Sequence, residues 1–260
     1  MIAALRVARV AAELQFKEVA VSGFLLFGAL VQPFFIGVMT MFMLRHRPDF
    51  DPVYVVVGAA LSGLWSVLLF AGSSAISHER SLGTLELVVA APTSFFVVYG
   101  GKIAGTLAFS LVSVVLSYAI GAWLFGYPIT VADPGGFAVS LVFALVALWA
   151  TGMLFAPLGI LWRTVGRFLG LMEYPIYSLS GFLFPILLLP VWTLPVSYLL
   201  PPYWAAVALH ASARGELDLG GLAQVWAVLL LTAIVLMLVS SRLFLAVLDR
   251  ARRAGSLALT

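Results

Sequence analysis

One acidic residue, Glu173, lies where it could take part in proton transfer or in substrate binding. It is the only carboxylate inside an apolar stretch of membrane length, where an ionised side chain costs about 2.5 to 3.5 kcal/mol to insert. Its structural interpretation is a carboxylate that pairs with Arg167 or reaches water near the end of a span. A second buried carboxylate or a buried Lys is missing from the sequence pattern. This absence counts against a proton-coupled pump, and a secondary transporter that uses Glu173 is kept only as an alternative.

A nucleophilic serine is the second kind of chemistry to consider. An intramembrane serine hydrolase needs a strained turn of the type Gly-x-Ser-Gly and a His that accepts the hydroxyl proton. The nearest match is the segment 178–181, with Ser180 as nucleophile and His210 as base, and the leading Gly is missing. This hydrolase is the alternative from a different class.

Metal and nucleotide sites have little support in the sequence. His78 and Glu79 begin like the zinc-binding pattern HExxH, but the second His is absent. Gly101 and Lys102 lack the residues that surround them in a phosphate-binding loop. No Cys is present, which excludes thiolate ligands. We therefore expect no enzyme activity, no metal and no cofactor in this chain, and ATP and Mg, if used, on a partner subunit.

Composition predicts the elements that must hold these residues. The 260 residues are 63% apolar and 10% charged, with a mean hydropathy of +1.13, far from a soluble protein. A span needs about 20 apolar residues of helix. We predict an all-α polytopic membrane protein with about six spans in a single transmembrane domain over residues 1–260. Nucleic acid as a partner has no support, because no run of basic residues occurs.

The predicted elements follow from apolar length and from breaks at Pro, Gly and charged residues. Residues 1–21 form an amphipathic helix that lies in the membrane interface. The six spans are predicted at 23–44, 53–76, 103–125, 136–162, 168–189 and 222–241. A polar loop at 78–94 contains a short helix, and a Pro-broken re-entrant segment occupies 190–210 on the extracellular side.

The segment 168–209 is compatible with two full spans or with one span and a re-entrant hairpin. The distribution of Lys and Arg favours the re-entrant arrangement with both termini cytoplasmic, because most of the 14 basic residues then lie on one side. That side holds Arg6, Arg9, Lys17, Arg80, Lys102, Arg163, Arg167, Arg242, Arg250, Arg252 and Arg253. The excess of Arg over Lys, with abundant Ala and Val, indicates a bacterium, and hence a bacterial cytoplasmic membrane.

Two GxxxG pairs, Gly101 with Gly105 and Gly166 with Gly170, allow helices to approach closely. Packing within the chain is the favoured interpretation, and a dimer seam is the alternative.

The polar loop contains a helix of about two turns that needs a surface to dock on, because so short a helix is unstable alone. Thr84 is a suitable N-cap, Gly83 permits the turn before it, and Pro92 ends the helix. Glu86 lies in the first turn, beside the positive end of the helix dipole. From these residues alone, docking on the chain itself, on lipid or on a partner subunit remains open.

The loop closely resembles the first cytoplasmic loop of the type-two permeases of ATP-binding-cassette (ABC) exporters. That loop has the pattern E-x-x-x-GTLE, an (S/A)P pair, and then GK at the start of the third helix. The matching residues here are 79–87 (ERSLGTLEL), 91–94 (APTS) and 101–102 (GK).

The resemblance implies a permease dimer that two ATPase subunits drive, with membrane lipid around it and an amphipathic cargo such as a lipid, a lipid-linked glycan or a hydrophobic drug. The residues it assigns to coupling with the ATPase are Glu79, Arg80, Gly83, Thr84, Leu85, Glu86, Leu87 and Val88. The second and fifth spans are expected to line the substrate path, with Leu61, Trp65, Leu69, Glu173, Tyr177, Ser180 and Phe184 as candidate lining residues.

Overall fold

The computed structural model describes residues 2–46, 51–84, 94–126, 129–161 and 165–254. Within these ranges the chain is helical and contains no strand, which confirms the all-α prediction for the described residues. The helices are α1 (Ile2–Val21), α2 (Gly23–Leu44), α3 (Pro52–Ser81), α4 (Phe95–Leu124), α5 (Pro134–Gly152), α6 (Phe155–Leu161), α7 (Val165–Leu171), α8 (Glu173–Leu179), α9 (Leu194–Leu199), α10 (Pro201–Arg214) and α11 (Leu219–Ala254).

Among the described residues, 5 helices are long and apolar enough to cross a membrane. They are α2, α3, α4, α5 extended into α6 as far as Gly159, and α11 as far as Val247. The chain is therefore a multi-pass membrane protein, and the described residues confirm several of the predicted spans as long apolar helices but not all six.

Helix α3 forms the centre of the bundle. In its most apolar stretch 83% of the residues are buried, compared with 39% in α2 and 22% in α11. Leu64, Leu68 and Leu69 of α3 are almost completely buried in the main core. Protein therefore surrounds α3, whereas α2 and α11 expose apolar side chains that suit a lipid environment.

Two helices begin with the same local device, an Asp cap followed by Pro. Asp51 accepts a hydrogen bond from the Val53 backbone N–H at 2.9 Å, and Pro52 fills the first helical position of α3. Asp133 accepts from the Gly136 N–H at 2.9 Å, ahead of α5. The carboxylate satisfies an amide that has no partner in the first turn, and Pro removes another.

The predicted fifth span, 168–189, is not one continuous helix. A break at Met172 separates α7 from α8, and α8 ends at Leu179. Gly181 then takes a φ of 71°, a left-handed conformation that Gly adopts at little cost. Two short 3₁₀ turns, Ile186–Leu188 and Val191–Thr193, each follow a Pro. The chain therefore leaves the helical path earlier than the sequence pattern predicted.

Helix α10 returns into the bundle after this irregular segment. Ala205, Ala208 and Leu209 are buried in the main core together with residues of α3 and α5. The backbone of the turn before α5 also bonds to the end of α10, since the Ala132 N–H donates to the Ala213 carbonyl at 2.9 Å. The segment that begins with Pro201 and Pro202 is thus a packed helix that reaches Arg214, beyond the predicted end at 210.

Candidate functional site

The polar end of α3 is the first part of the candidate site. Helix α3 continues through Ser81, so Glu79 and Arg80 are helical and do not lie in a loop. Gly83, with a φ of 69°, follows the helix, and the Thr84 N–H donates to the Glu79 carbonyl at 3.0 Å. The Gly83 N–H donates to the Arg80 carbonyl at 3.1 Å. These two bonds form a Schellman motif, which ends α3 in one fixed geometry.

Glu79 ties the end of α3 to α4. Its carboxylate forms an ion pair with the Lys102 ammonium, and the two side chains are only 17% and 13% exposed. The Thr84 hydroxyl donates to the same carboxylate. Sequence reasoning noted both Glu79 and Lys102 but not their pairing, although opposite charges at the two ends of one polar loop are the signal for it.

Helix α1 contacts the same region through its Glu18, which lies near His78 of α3. The His78 Nε2 lies 3.6 Å from the Glu18 Oε1. Glu79 itself is paired with Lys102 and Thr84, and Arg80 lies half-buried on the same turn.

Close packing joins α1 to α4 beside this ion pair. A Cβ atom built on Gly101 would lie 2.3 Å from the Ala8 carbonyl oxygen, and one on Gly105 would lie 2.2 Å from that of Ala12. The two Gly residues therefore admit the α1 backbone, as small residues do in membrane helix pairs. The prediction that this GxxxG pair packs within the chain is confirmed. The ends of α1, α3 and α4 form one connected unit, which we call the coupling platform (Glu18, His78, Glu79, Gly101 and Lys102).

The predicted contact face of the coupling helix, Leu85, Glu86, Leu87 and Val88, lies outside the described residues, as does the rest of 85–93. The role of Thr84 as its N-cap falls at the same boundary. The coupling platform is therefore the described base from which this segment emerges.

The second part of the candidate site is the interior beside α3, where the substrate path was predicted. Trp65, Leu69, Tyr177 and Ser180 are buried within the chain. Leu61 lines an apolar cavity of about 290 Å³ between α3, α4, α5 and α10. Phe184 is half-buried and lines a second cavity of about 390 Å³. Two of the predicted lining residues thus border open space in this conformation.

Glu173 belongs to a buried hydrogen-bond network that ties α8 to α2 and α3. The Gln32 Nε2 donates to the Glu173 Oε1 at 2.8 Å, and the Tyr177 hydroxyl lies 2.7 Å from the same oxygen. The Ser66 hydroxyl donates to the Gln32 Oε1 at 2.8 Å. Glu173 is 4% exposed. The donors that contact it in the described part of the chain, Gln32 and Tyr177, are neutral. Hydrogen bonds therefore hold this carboxylate at the level of the middle of α3.

Sequence reasoning missed Gln32, the residue that connects this network to α2. The signal was a lone amide in an otherwise apolar span. Gln32 follows a π-helical turn at Phe27–Val31, and such turns occur often at functional sites. A Cβ on the preceding Gly28 would lie 3.1 Å from the Ser66 hydroxyl oxygen, so α2 and α3 approach closely here.

The residues of the hydrolase alternative lie in the same region without forming a catalytic pair. The Ser180 hydroxyl is buried and makes no hydrogen bond to the described part of the chain. The His210 ring stacks on Tyr54, with centroids 3.9 Å apart and planes at 9°. Burial, with the nearby Arg214 charge, lowers the pKa of His210 to about 3, which makes it a weak base at neutral pH.

Comparison with known proteins adds an independent observation. The model of a family described as ABC-2 type transporter matches residues 9–213. Two similar proteins, from Escherichia coli strain K12 and from Escherichia coli O157:H7, are both called "Probable multidrug ABC transporter permease YbhR". Each is 23% identical to this chain over 164 residues, which is 60% of this chain and 42% of the relative. The match therefore spans less than half the length of these curated relatives.

Proposed function

Because this chain belongs to the ABC-2 type transporter family, we propose that it is the permease subunit of an ATP-driven exporter of an amphipathic substrate. Two separate ATPase subunits bind ATP and Mg. A second permease copy completes the complex in the bacterial cytoplasmic membrane. Both termini and the 78–94 loop face the cytoplasm in this proposal, in keeping with the Lys and Arg distribution.

The observation that carries the proposal is the continuity of α3. One unbroken helix, Pro52–Ser81, connects the coupling platform with the polar network and with both cavities. A push on the cytoplasmic end of a packed helix moves the whole helix, because close-packed elements shift as rigid bodies. The coupling helix within 85–93 is proposed to receive this push from the ATPase through Leu85, Glu86, Leu87 and Val88.

Helix α3 can transmit this push only if its cytoplasmic end is held rigidly, and the contacts around Glu79 hold it. Its ion pair with Lys102 is mostly buried, so water screens it less than an exposed pair. Helix α1 is packed on α4 at Gly101 and Gly105. In this proposal α1, α3 and α4 move together when the ATPase subunits close on ATP.

An amphipathic substrate is supported by the space beside α3. The cavity at Leu61 is lined by apolar side chains, including Val57, Leu64 and Leu141, and suits a hydrocarbon or aromatic group. The proposed path continues along α8 through Glu173 and Tyr177, and then along the segment after α8 through Ser180 and Phe184. On α3 it passes Trp65 and Leu69. These side chains become accessible when α3 and α8 separate during the outward transition.

Transport in vesicles tests the proposal. The full chain is assembled with its ATPase subunit in inside-out vesicles, and ATP-dependent uptake of a fluorescent amphiphile is measured. We expect uptake to require hydrolysable ATP and to persist when an ionophore collapses the proton gradient. Uptake that follows the proton gradient and ignores ATP depletion would instead support a secondary transporter that uses Glu173. Covalent labelling of Ser180 by a fluorophosphonate would support the hydrolase.

A further inference from the structure

The second cavity, of about 390 Å³, has an apolar body and a charged rim. It lies between the adjoining ends of α2 and α3, the irregular segment after α8, and the end of α10. Val55, Leu183 and Phe184 contribute to its apolar wall, while Asp51 and Arg214 stand at the rim. Its volume is within the range of about 300 to 1,000 Å³ typical of small-molecule sites.

The rim holds a guanidinium between two carboxylates. The Arg214 Nε lies 2.5 Å from the Asp51 Oδ2, and its Nη1 lies 2.7 Å from the Glu216 Oε1. The side chains of Arg214, Asp51 and Glu216 are 34%, 27% and 48% exposed, so water and solutes reach them. Arg45, which follows the lining residue Leu44, directs its guanidinium over the Phe42 ring at 4.7 Å.

An aromatic ring completes the arrangement. The Arg214 guanidinium carbon lies 5.9 Å from the centroid of the Tyr54 ring, within the range of a cation–π contact. Tyr54 is held in place, since its ring stacks on His210 and its hydroxyl donates to the Gly181 carbonyl at 2.6 Å. A cation in this position therefore meets two carboxylates and a fixed aromatic ring.

We propose that this cavity is a binding site for a cationic amphiphile, and that Arg214 occupies the cation position when no ligand is present. The ligand's apolar part lies against Val55, Leu183 and Phe184, and its cation replaces the guanidinium between Asp51 and Glu216. This inference rests on the proposed function, in which the cavity lies at the extracellular end of the path, and it names the substrate class.

Charge complementarity selects a cation over an anion. In the described part of the chain Arg214 forms ion pairs with two carboxylates, Asp51 and Glu216, so its charge is already neutralised. An anionic ligand would have to displace one carboxylate and then lie beside the other. A cationic ligand displaces only the Arg214 side chain, which is partly exposed and can turn toward water.

The test is equilibrium binding to the full chain in lipid nanodiscs. The probes are tetraphenylphosphonium and tetraphenylborate, which have nearly the same size and shape and opposite charge. We expect Asp51→Asn and Glu216→Gln each to weaken tetraphenylphosphonium binding by about tenfold, the loss of one charge contact. Arg214→Gln should strengthen it by a similar factor, because the internal competitor is gone. Asn retains the oxygen that caps α3, so Asp51→Asn preserves the helix start.

The matched control is Asp218→Asn. Asp218 is also an exposed capping carboxylate, since it accepts from the Gly221 N–H at 2.8 Å, and it does not line the cavity. The Asp218→Asn variant should bind tetraphenylphosphonium with the same affinity as the unmodified chain. The proposal is overturned if Asp51→Asn and Glu216→Gln bind tetraphenylphosphonium as the control does, or if tetraphenylborate shows the same affinity and the same dependence on these variants. ATP-driven uptake of other amphiphiles that persists in that case would leave the proposed function standing.

Discussion

The Gln32 amide donates a hydrogen bond of 2.8 Å to the Glu173 carboxylate, across 141 positions of sequence and between two helices of the apolar bundle. Neither residue is ordinary for a membrane-spanning segment. Their pairing shows how the bundle accommodates a buried carboxylate. One Glu173 oxygen accepts hydrogen bonds from the Gln32 amide and from Tyr177, which is on α8 with Glu173. The Gln32 amide is itself bonded to Ser66. The network fixes the position of α8 against α2 and α3.

Removal of the Glu173 carboxyl group is expected to destabilise the bundle. Glu173→Leu removes the acceptor that Gln32 and Tyr177 share, and should lower the free energy of unfolding by about 1 to 3 kcal/mol. The Gln32 Nε2 then keeps only the Tyr177 hydroxyl at 3.1 Å, and that hydroxyl keeps the Ser62 carbonyl at 3.1 Å. Glu173→Gln keeps an oxygen acceptor and should cost less. Thermal unfolding in detergent measures both. The control is Ser178→Ala, because the half-buried Ser178 hydroxyl donates to a carbonyl of its own helix and takes no part in the network. Equal melting temperatures for Glu173→Leu and Ser178→Ala would contradict the structural role of the network.

The ion pair of the coupling platform should contribute far more than a surface pair. Lys102→Met leaves Glu79 mostly buried and uncompensated, so we expect a loss of about 2 kcal/mol in stability. The double variant Glu79→Lys with Lys102→Glu should recover part of it. The control is the exposed pair of Arg9 and Glu13, 2.8 Å apart, whose removal should cost less than about 1 kcal/mol. A double-mutant cycle with no interaction energy between Glu79 and Lys102 would refute this prediction.

The packing of α1 on α4 makes Gly105 sensitive to any side chain. A Cβ there would lie 2.2 Å from the Ala12 carbonyl oxygen, and the α1 backbone cannot move away without losing its contacts. Gly105→Ala should cost about 1 to 3 kcal/mol and raise the rate at which a protease cuts α1. Gly23→Ala is the matched control, because nothing lies within 4 Å of its added Cβ. If both variants resist the protease equally, α1 is not held by this contact.

Much of the architecture followed from apolar length alone. The all-helical class and the starts of several spans were predictable because a stretch of about 20 apolar residues has few other stable forms in a bilayer. The pairs Asp51-Pro52 and Asp133-Pro134 are local signals for the start of a helix and can be recognised in the sequence alone. The GxxxG pair at Gly101 and Gly105 was identified as a place of close approach, and only its partner, α1, was not predicted.

The sequence did not predict features of the structure that depend on contacts between distant residues. The fifth apolar segment has enough length for a span, but Gly181 and the following Pro residues turn the chain once Tyr54 bonds to the Gly181 carbonyl. Glu173 was assigned to a helix end near Arg167, because periodicity does not report which helix lies opposite. Its partner Gln32 is on another helix, and a single sequence taken alone gives no way to pair them.

In the proposed function a separate ATPase moves this chain through the 78–94 loop. Transport by loop variants is the most direct test of that coupling. Leu85→Ala and Glu86→Ala are introduced in the full complex, and ATP-dependent uptake of a fluorescent amphiphile into inside-out vesicles is measured along with copurification of the ATPase. We predict that uptake and stimulation of ATP hydrolysis fall by at least about tenfold, roughly the effect of one lost contact of 1.4 kcal/mol, while assembly is retained. Uptake equal to that of the unmodified complex in both variants would contradict the account.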